Sequence, residues 1–246
     1  MAPDSAPPTV AAGGSRWSGR LLYGVGRGVA WLLLHALSRV RVEGRADVPR
    51  RGPLLVVANH TSFLDPMLLA VALPRPLAFL AKEELFHPAP WGWALRAAGI
   101  IPVRRGHADR RALDAALGVL RAGGALAVFA EGTRSADGTL QPAEAGAGML
   151  AARSGAPVLP VALLGTERVQ RFKDWLSRPP LRARFGAAWQ PEARARVRAA
   201  AYAELAHAMM ARVAALLPEG RRGAYRVADI VFGGGVGEPA DLGGGG

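Results

Sequence analysis

Between residues 40 and 217 short apolar runs alternate with stretches of helical periodicity, and this alternation constrains the fold more than any other feature. The runs at 40–43, 54–58, 77–81, 100–103, 125–130, 158–164 and 181–185 are four to seven residues long, the length of buried strands. Helical patterns fill 66–73, 89–98, 108–121, 144–154 and 192–217. Strands that alternate with helices pair most simply as a parallel sheet covered on both faces. The expectation is one α/β domain with a mostly parallel sheet flanked by helices, over residues 41–220. With 246 residues, 50% of them hydrophobic, the chain can bury a substantial core.

Two segments lie outside that pattern. Residues 1–16 are rich in Pro, Ala, Gly and Ser and read as disordered, and 221–246 ends in "GGGVGEPADLGGGG" and reads as a flexible tail. Residues 17–40 read as an amphipathic helix. Its unbroken apolar run, Val29 to Leu37, is too short to cross a bilayer. Trp17, Tyr23 and Trp31 beside Arg20, Arg27, Arg39, Arg41 and Arg45 fit a helix lying in a membrane interface, and the alternative is a helix packed on the domain.

The formal charge is +12, carried almost wholly by Arg, since Lys82 and Lys173 are the only lysines. Such an excess favours anionic partners, although a coding bias toward Arg accounts for part of it. Nucleic acid is the weaker choice. Stacking platforms need aromatics among the basic residues, and aromatics are 7% of this chain. There is no Cys, which excludes disulfides, thiolate metal sites and a Cys nucleophile. The motifs G-x-S-x-G, G-x-x-x-x-G-K-[ST] and H-E-x-x-H are absent. "GAGMLA" at 146–151 matches a dinucleotide pattern but follows no strand, so its phosphate-cradling turn is missing.

Three polar clusters remain, each just past an expected strand. "NHTSFLD" (Asn59 to Asp65) follows 54–58, "VRRG" (Val103 to Gly106) ends the strand at 100–103, and "AEGTRS" (Ala130 to Ser135) ends the strand at 125–130. The carboxyl ends of parallel strands share one rim, where ligands bind. His60 and Asp65 are five positions apart. With 5 His and 9 Asp in the chain that spacing arises by chance roughly 0.2 times, so it is not diagnostic alone. On a straight helix the two side chains would diverge by about 140°, so they meet only across a bend. Asp65 before Pro66 reads equally as a helix N-cap, Thr61 and Ser62 as caps, and Asn59 as a turn residue. A His–Asp pair, a carboxylate and guanidiniums on one rim describe a general base facing a phosphorylated substrate.

These blocks resemble those of the glycerolipid acyltransferase family, which includes the 1-acyl-sn-glycerol-3-phosphate acyltransferases. "NHTSFLD" is similar to the family's N-H-x-x-x-x-D block, "GIIPVRR" to its second block, "FAEGTRS" to its third, and "APVLPVAL" (Ala156 to Leu163) to its fourth. The likeness covers roughly residues 40–170. It differs at Ala130, where Pro is usual, and at Glu144, where many relatives carry Lys. The resemblance implies transfer of an acyl group from a thioester, on CoA or acyl carrier protein, to the hydroxyl of 1-acylglycerol-3-phosphate, with no cofactor or metal. His60 would be the base and Asp65 its orienting partner. Arg105 and Arg134 would take the acceptor phosphate and Lys82 would assist. Glu131 and Gly132 would bind the glycerol part, with Thr133 among the substrate-binding residues; Glu131 reads equally as an acceptor for backbone amides. The implied location is the cytoplasmic face of the cell membrane, peripheral or monotopic, on anionic lipid. Other readings are a different acceptor, such as glycerol-3-phosphate or a lyso-ornithine-type lipid, or a basic membrane-binding protein with a decayed site.

Overall fold

Strand β2 (Leu54–Ala58) is the centre of the molecule, and none of its five side chains reaches solvent. A strand apolar at every position must be covered on both faces. The computed structural model describes residues 16–104, 109–169, 171–191 and 199–225. Seven strands form one sheet in the order β1 (Arg39–Glu43), β7 (Pro180–Phe185), β6 (Val158–Leu164), β2, β5 (Ala125–Phe129), β3 (Leu77–Lys82), β4 (Ile100–Val103). β2 to β6 run in one direction. β7 pairs antiparallel with β6, and β1 follows β7. The sheet is therefore mostly parallel, with two reversed strands at one edge.

One face carries α2 (Asp65–Ala72), whose Leu68 and Leu69 pack on Leu54, Val56 and Leu163. The other carries α4 (Arg110–Arg121), α5 (Ala145–Ser154) and α6 (Ala199–Ala215) against Leu55, Val57 and Leu126. α5 and α6 touch backbone to backbone at Gly148, where a Cβ would stand 1.9 Å from the Tyr202 carbonyl oxygen. Only glycine permits that approach. The sequence-expected strands and helices overlap these elements, α6 being described from Ala199. The packed domain runs past the expected boundary at 220. Tyr225 is buried, and its hydroxyl accepts from the Ala143 amide.

Helix α1 (Arg16–Leu37) lies along α2 and α3 (Ala89–Ala97). Ala30 and Leu34 enter the core, while Leu21, Val25, Val29, Trp31 and Leu32 stay exposed. Two polar contacts fix it. Arg27 donates to the Val71 and Leu73 carbonyls at the end of α2, where a cation meets the helix's unpaired carbonyls, and the Tyr23 hydroxyl accepts from the Leu77 amide. Arg27 thus serves the domain rather than a solvent-facing basic flank. Among the described residues no helix is long and apolar enough to cross a membrane.

Candidate active site

Because β2 to β6 are parallel, the chain leaves each of them at the same rim. β2 delivers Asn59 and His60 there, β3 Lys82, β4 Arg104, β5 Ala130 to Arg134, and β6 Gly165 and Thr166. Asn59 is buried and reaches across to β6. Its amide donates to the Leu163 carbonyl at 2.9 Å, and its oxygen accepts from the Leu163 N–H at 2.7 Å. The side chain continues the β2–β6 ladder after β2 has bent away. It is a cross-strand clamp, not the local turn residue expected from sequence.

Past Asn59 the chain turns back before α2 begins, and the bend brings His60 and Asp65 together. His60 Nδ1 lies 2.9 Å from Asp65 Oδ2. The Asp65 carboxylate is fully buried and the His60 side chain is 12% exposed. Oδ2 also accepts from the Thr61 amide at 2.6 Å and the Ser62 amide at 2.7 Å. The carboxylate therefore points backward into the bend. It does not cap α2, which has no side-chain cap. A carboxylate is an acceptor, so the proton of the His60–Asp65 bond resides on Nδ1, and in the neutral ring the lone pair is then on Nε2. The Ser62 hydroxyl accepts from Leu64 N–H, whereas the Thr61 hydroxyl meets Thr166 rather than capping the helix.

The loop after β5 holds the rest of His60. Glu131 Oε1 accepts the His60 backbone N–H at 2.8 Å, and Oε2 accepts Gln141 N–H at 2.9 Å. The Ser135 amide donates to the His60 carbonyl at 2.8 Å. The Phe129 ring stacks on the imidazole with centroids 4.1 Å apart. Glu131 is thus an acceptor for two backbone amides, the second of its two sequence readings. Burial, against the help of those amides, pushes its carboxyl up to about 7. Gly132 has φ +68°, and a Cβ there would meet Glu144 Cγ at 2.9 Å.

Two cavities flank the bend. One, about 690 Å³, is reached by His60, Lys82, Gly132 and Glu144 and is walled by apolar residues such as Leu80, Leu113 and Leu150. The other, about 710 Å³, is bordered by Thr61, Arg134, Arg171 and Trp175. Phe63, Thr133 and Arg134 border both. Phe63 and Arg134 form a stacked pair, the guanidinium carbon 3.7 Å from the ring centroid. Lys82 is exposed at the end of β3. Arg104 pairs with Glu83 at 2.7 Å, which raises the guanidinium and lowers the carboxyl. Arg105 lies outside the described residues. Among the described residues no cluster of His, Asp and Glu could hold a metal ion.

Sequence reasoning missed Thr166. It is fully buried just past β6, and its hydroxyl donates to Asp65 Oδ1 at 2.5 Å. The signal was available: a threonine two residues past a strand that ends on the same rim.

At the carboxyl rim of the α/β sheet a buried His–Asp pair thus opens on a cavity with apolar walls, the arrangement of an α/β enzyme site. The particular family follows from comparison. Residues 39–164 match the family model described as Acyltransferase, and the chain belongs to that family. A chloroplastic 1-acyl-sn-glycerol-3-phosphate acyltransferase of Brassica napus is 32% identical over 145 residues, 57% of this chain and 41% of its own length. The 1-acyl-sn-glycerol-3-phosphate acyltransferase alpha of Mus musculus is 35% identical over 139 residues, 54% of this chain and 49% of its own. The chain thus spans about half the length of these relatives. The crystal structure of the 1-acyl-sn-glycerophosphate (LPA) acyltransferase PlsC from Thermotoga maritima superposes with a TM-score of 0.59, at 29% identity, over 76% of this chain and 75% of that one.

Proposed function

We propose that the protein moves a fatty acyl group from an acyl thioester, on CoA or acyl carrier protein, to the free hydroxyl of 1-acylglycerol-3-phosphate, yielding phosphatidic acid. The observation that carries this reading is the His60 Nδ1–Asp65 Oδ2 bond beside a cavity walled by apolar side chains. His60 Nε2 takes the hydroxyl proton as the acceptor oxygen attacks the thioester carbonyl. Asp65 holds the tautomer and stabilises the imidazolium. When the tetrahedral intermediate collapses, the C–S bond breaks and the imidazolium returns the proton to the leaving thiolate. No covalent acyl-enzyme is needed. Arg134, and Arg105 by resemblance, would grip the acceptor phosphate with planar forks, with Lys82 assisting.

The acceptor is a lipid, so the rim has to face a bilayer. The exposed Leu21, Val25, Trp31 and Leu32 of α1, with Trp91 and Trp93 of the adjoining α3, offer an apolar surface for that. We place the protein on the cytoplasmic face of the cell membrane, held peripherally or monotopically on anionic lipid.

One observation favours a second reading. Glu144 puts a carboxylate in the same cavity as Lys82 and His60, which suits an acceptor bearing a cation, such as a lyso-ornithine-type lipid. Purified protein in mixed micelles, given an acyl thioester and a panel of lysolipids, tests both by thiol release. His60→Ala is expected to lower turnover on the order of 10²- to 10⁴-fold. A folded His60→Ala protein with near wild-type turnover would overturn the mechanism, and a preference for the cationic acceptor would replace the first reading with the second.

A further inference from the structure

Thr166 is 105 residues from Thr61 and 101 from Asp65 in sequence, yet its hydroxyl touches both side chains. The Asp65 carboxylate has two oxygens with unequal surroundings. Oδ2 is crowded by His60 Nδ1 and the amides of Thr61 and Ser62. Oδ1 accepts from the Thr166 hydroxyl. Because Thr166 has one proton and Asp65 takes it, the 3.2 Å contact between the Thr61 and Thr166 hydroxyls must run from Thr61 as donor to Thr166 as acceptor. A directed chain results: Thr61 to Thr166, Thr166 to Asp65, His60 to Asp65. Both Thr166 and Asp65 are fully buried, so water is a poor substitute for either partner.

We infer that Thr166 is a positioning residue for the His60–Asp65 pair, locking the rotation of the Asp65 carboxylate so that Oδ2 stays on His60 Nδ1. This rests on the reading of His60 as the general base. Without the hydroxyl, Oδ1 is a buried acceptor with no donor among the described residues, and the carboxylate gains by turning toward any other N–H. The three donors on Oδ2 then compete for a moving oxygen, and the imidazole loses the bond that fixes its tautomer. β6 supplies this lock from the far side of β2, and the Asn59–Leu163 clamp keeps the two strand ends in register with it. Misplacement of a base by a fraction of an ångström to an ångström is costly, on the order of 10²-fold at the upper end.

The test compares Thr166→Ser, which keeps the hydroxyl, Thr166→Val, which keeps the shape, and Thr166→Ala, which keeps neither, with His60→Ala as the reference. Thioester-dependent acylation of a lysolipid gives kcat and both KM values, and ¹⁵N shifts of His60 at high pH report its tautomer. Expected is a Ser variant within about threefold of wild type. The Val and Ala variants should fall on the order of 10- to 100-fold in kcat with both KM values little changed, and their His60 should show a mixed tautomer. Should the Val variant fail to fold, Ser against Ala decides, since both are smaller than Thr. Val or Ala variants with wild-type kcat and an unmixed tautomer, beside an inactive His60→Ala, would overturn the role of Thr166 and leave the base intact. Equal slowing of the Ser and Val variants would also overturn it. An active His60→Ala would remove the premise itself.

Discussion

Glu131 is the carboxylate on which the pH dependence of stability should turn. Its burial raises the folded-state value to about 7, from an ordinary 4.5. In the unfolded chain the group ionises near the ordinary value. Between these two pH values the folded protein holds a proton that the unfolded chain has released, so stability must fall as pH rises through the window. At about 1.36 kcal/mol per pH unit, a shift of two to three units makes the loss about 3 kcal/mol between pH 4.5 and 7. Glu131→Gln removes that titration but leaves one of two buried amides, His60 N–H or Gln141 N–H, facing an NH₂ group. That is a pH-independent cost of about 1–3 kcal/mol. The wild type should therefore be the more stable protein at pH 4.5, and the two should be level, or the order reversed, at pH 8. Urea unfolding in a fixed detergent at the two pH values gives the difference directly. Parallel stability curves for the two proteins across the window would refute the argument, because they would mean that Glu131 does not change its protonation between folded and unfolded states there.

Asn59→Ala removes both bonds to Leu163 in a dry strand end and should cost about 2–4 kcal/mol in urea unfolding; a loss under about 0.5 kcal/mol would show that the clamp is not holding β2 to β6. Serines at Leu21, Val25 and Leu32 touch no core contact, so the melting temperature should hold while sedimentation with anionic liposomes weakens at least about 10-fold, given roughly 1.5–3 kcal/mol for each apolar side chain buried in lipid. Undiminished sedimentation would exclude α1 as the contact. Glu144→Lys reverses a charge on the cavity wall and should lower KM for 1-acylglycerol-3-phosphate by about three- to tenfold, with the thioester KM unchanged. A rise in that KM would argue that the carboxylate serves an acceptor other than a phosphate.

The sheet was readable because burial leaves a local trace. A strand covered on both faces is apolar at every position, and Leu54 to Ala58 and Val158 to Leu164 announce themselves that way. The rim was readable by the same logic, since a polar residue directly after such a run marks where a strand leaves the core. Strand direction leaves no such trace. Pro180 to Phe185 shows the alternation of a strand with one buried face, and nothing in it tells whether it runs with β6 or against it. The partners of Asn59, Glu131 and Thr166 were likewise illegible. Each depends on which strand end lies beside which, and the Asn59–Leu163 pair is separated by 104 residues of sequence.

These three side chains also explain why the polar clusters are larger than the proposed base and phosphate grip require. His60, at the end of β2, stands where the backbone has just left its ladder, so its amide, carbonyl and ring have no regular partners. The structure replaces them one by one. Glu131 takes the amide, the Ser135 N–H takes the carbonyl, Asp65 takes Nδ1 and Phe129 covers the ring. Asn59 ties the strand end behind it to β6. Four of these five come from segments read at first as candidate contacts to substrate or as helix caps. In the folded chain their hydrogen bonds go to protein, which assigns them to holding His60 still. Among the described residues, those the proposed reading leaves to meet substrate at the rim are a shorter set: His60 Nε2, Arg134 on its Phe63 platform, Thr133, and the exposed Lys82. On the reading of His60 as the base, changes in Arg134, Thr133 and Lys82 should appear as losses of affinity, and changes in the residues that hold His60, like loss of His60 itself, as losses of turnover. Steady-state constants that mixed the two groups would contradict this division of labour.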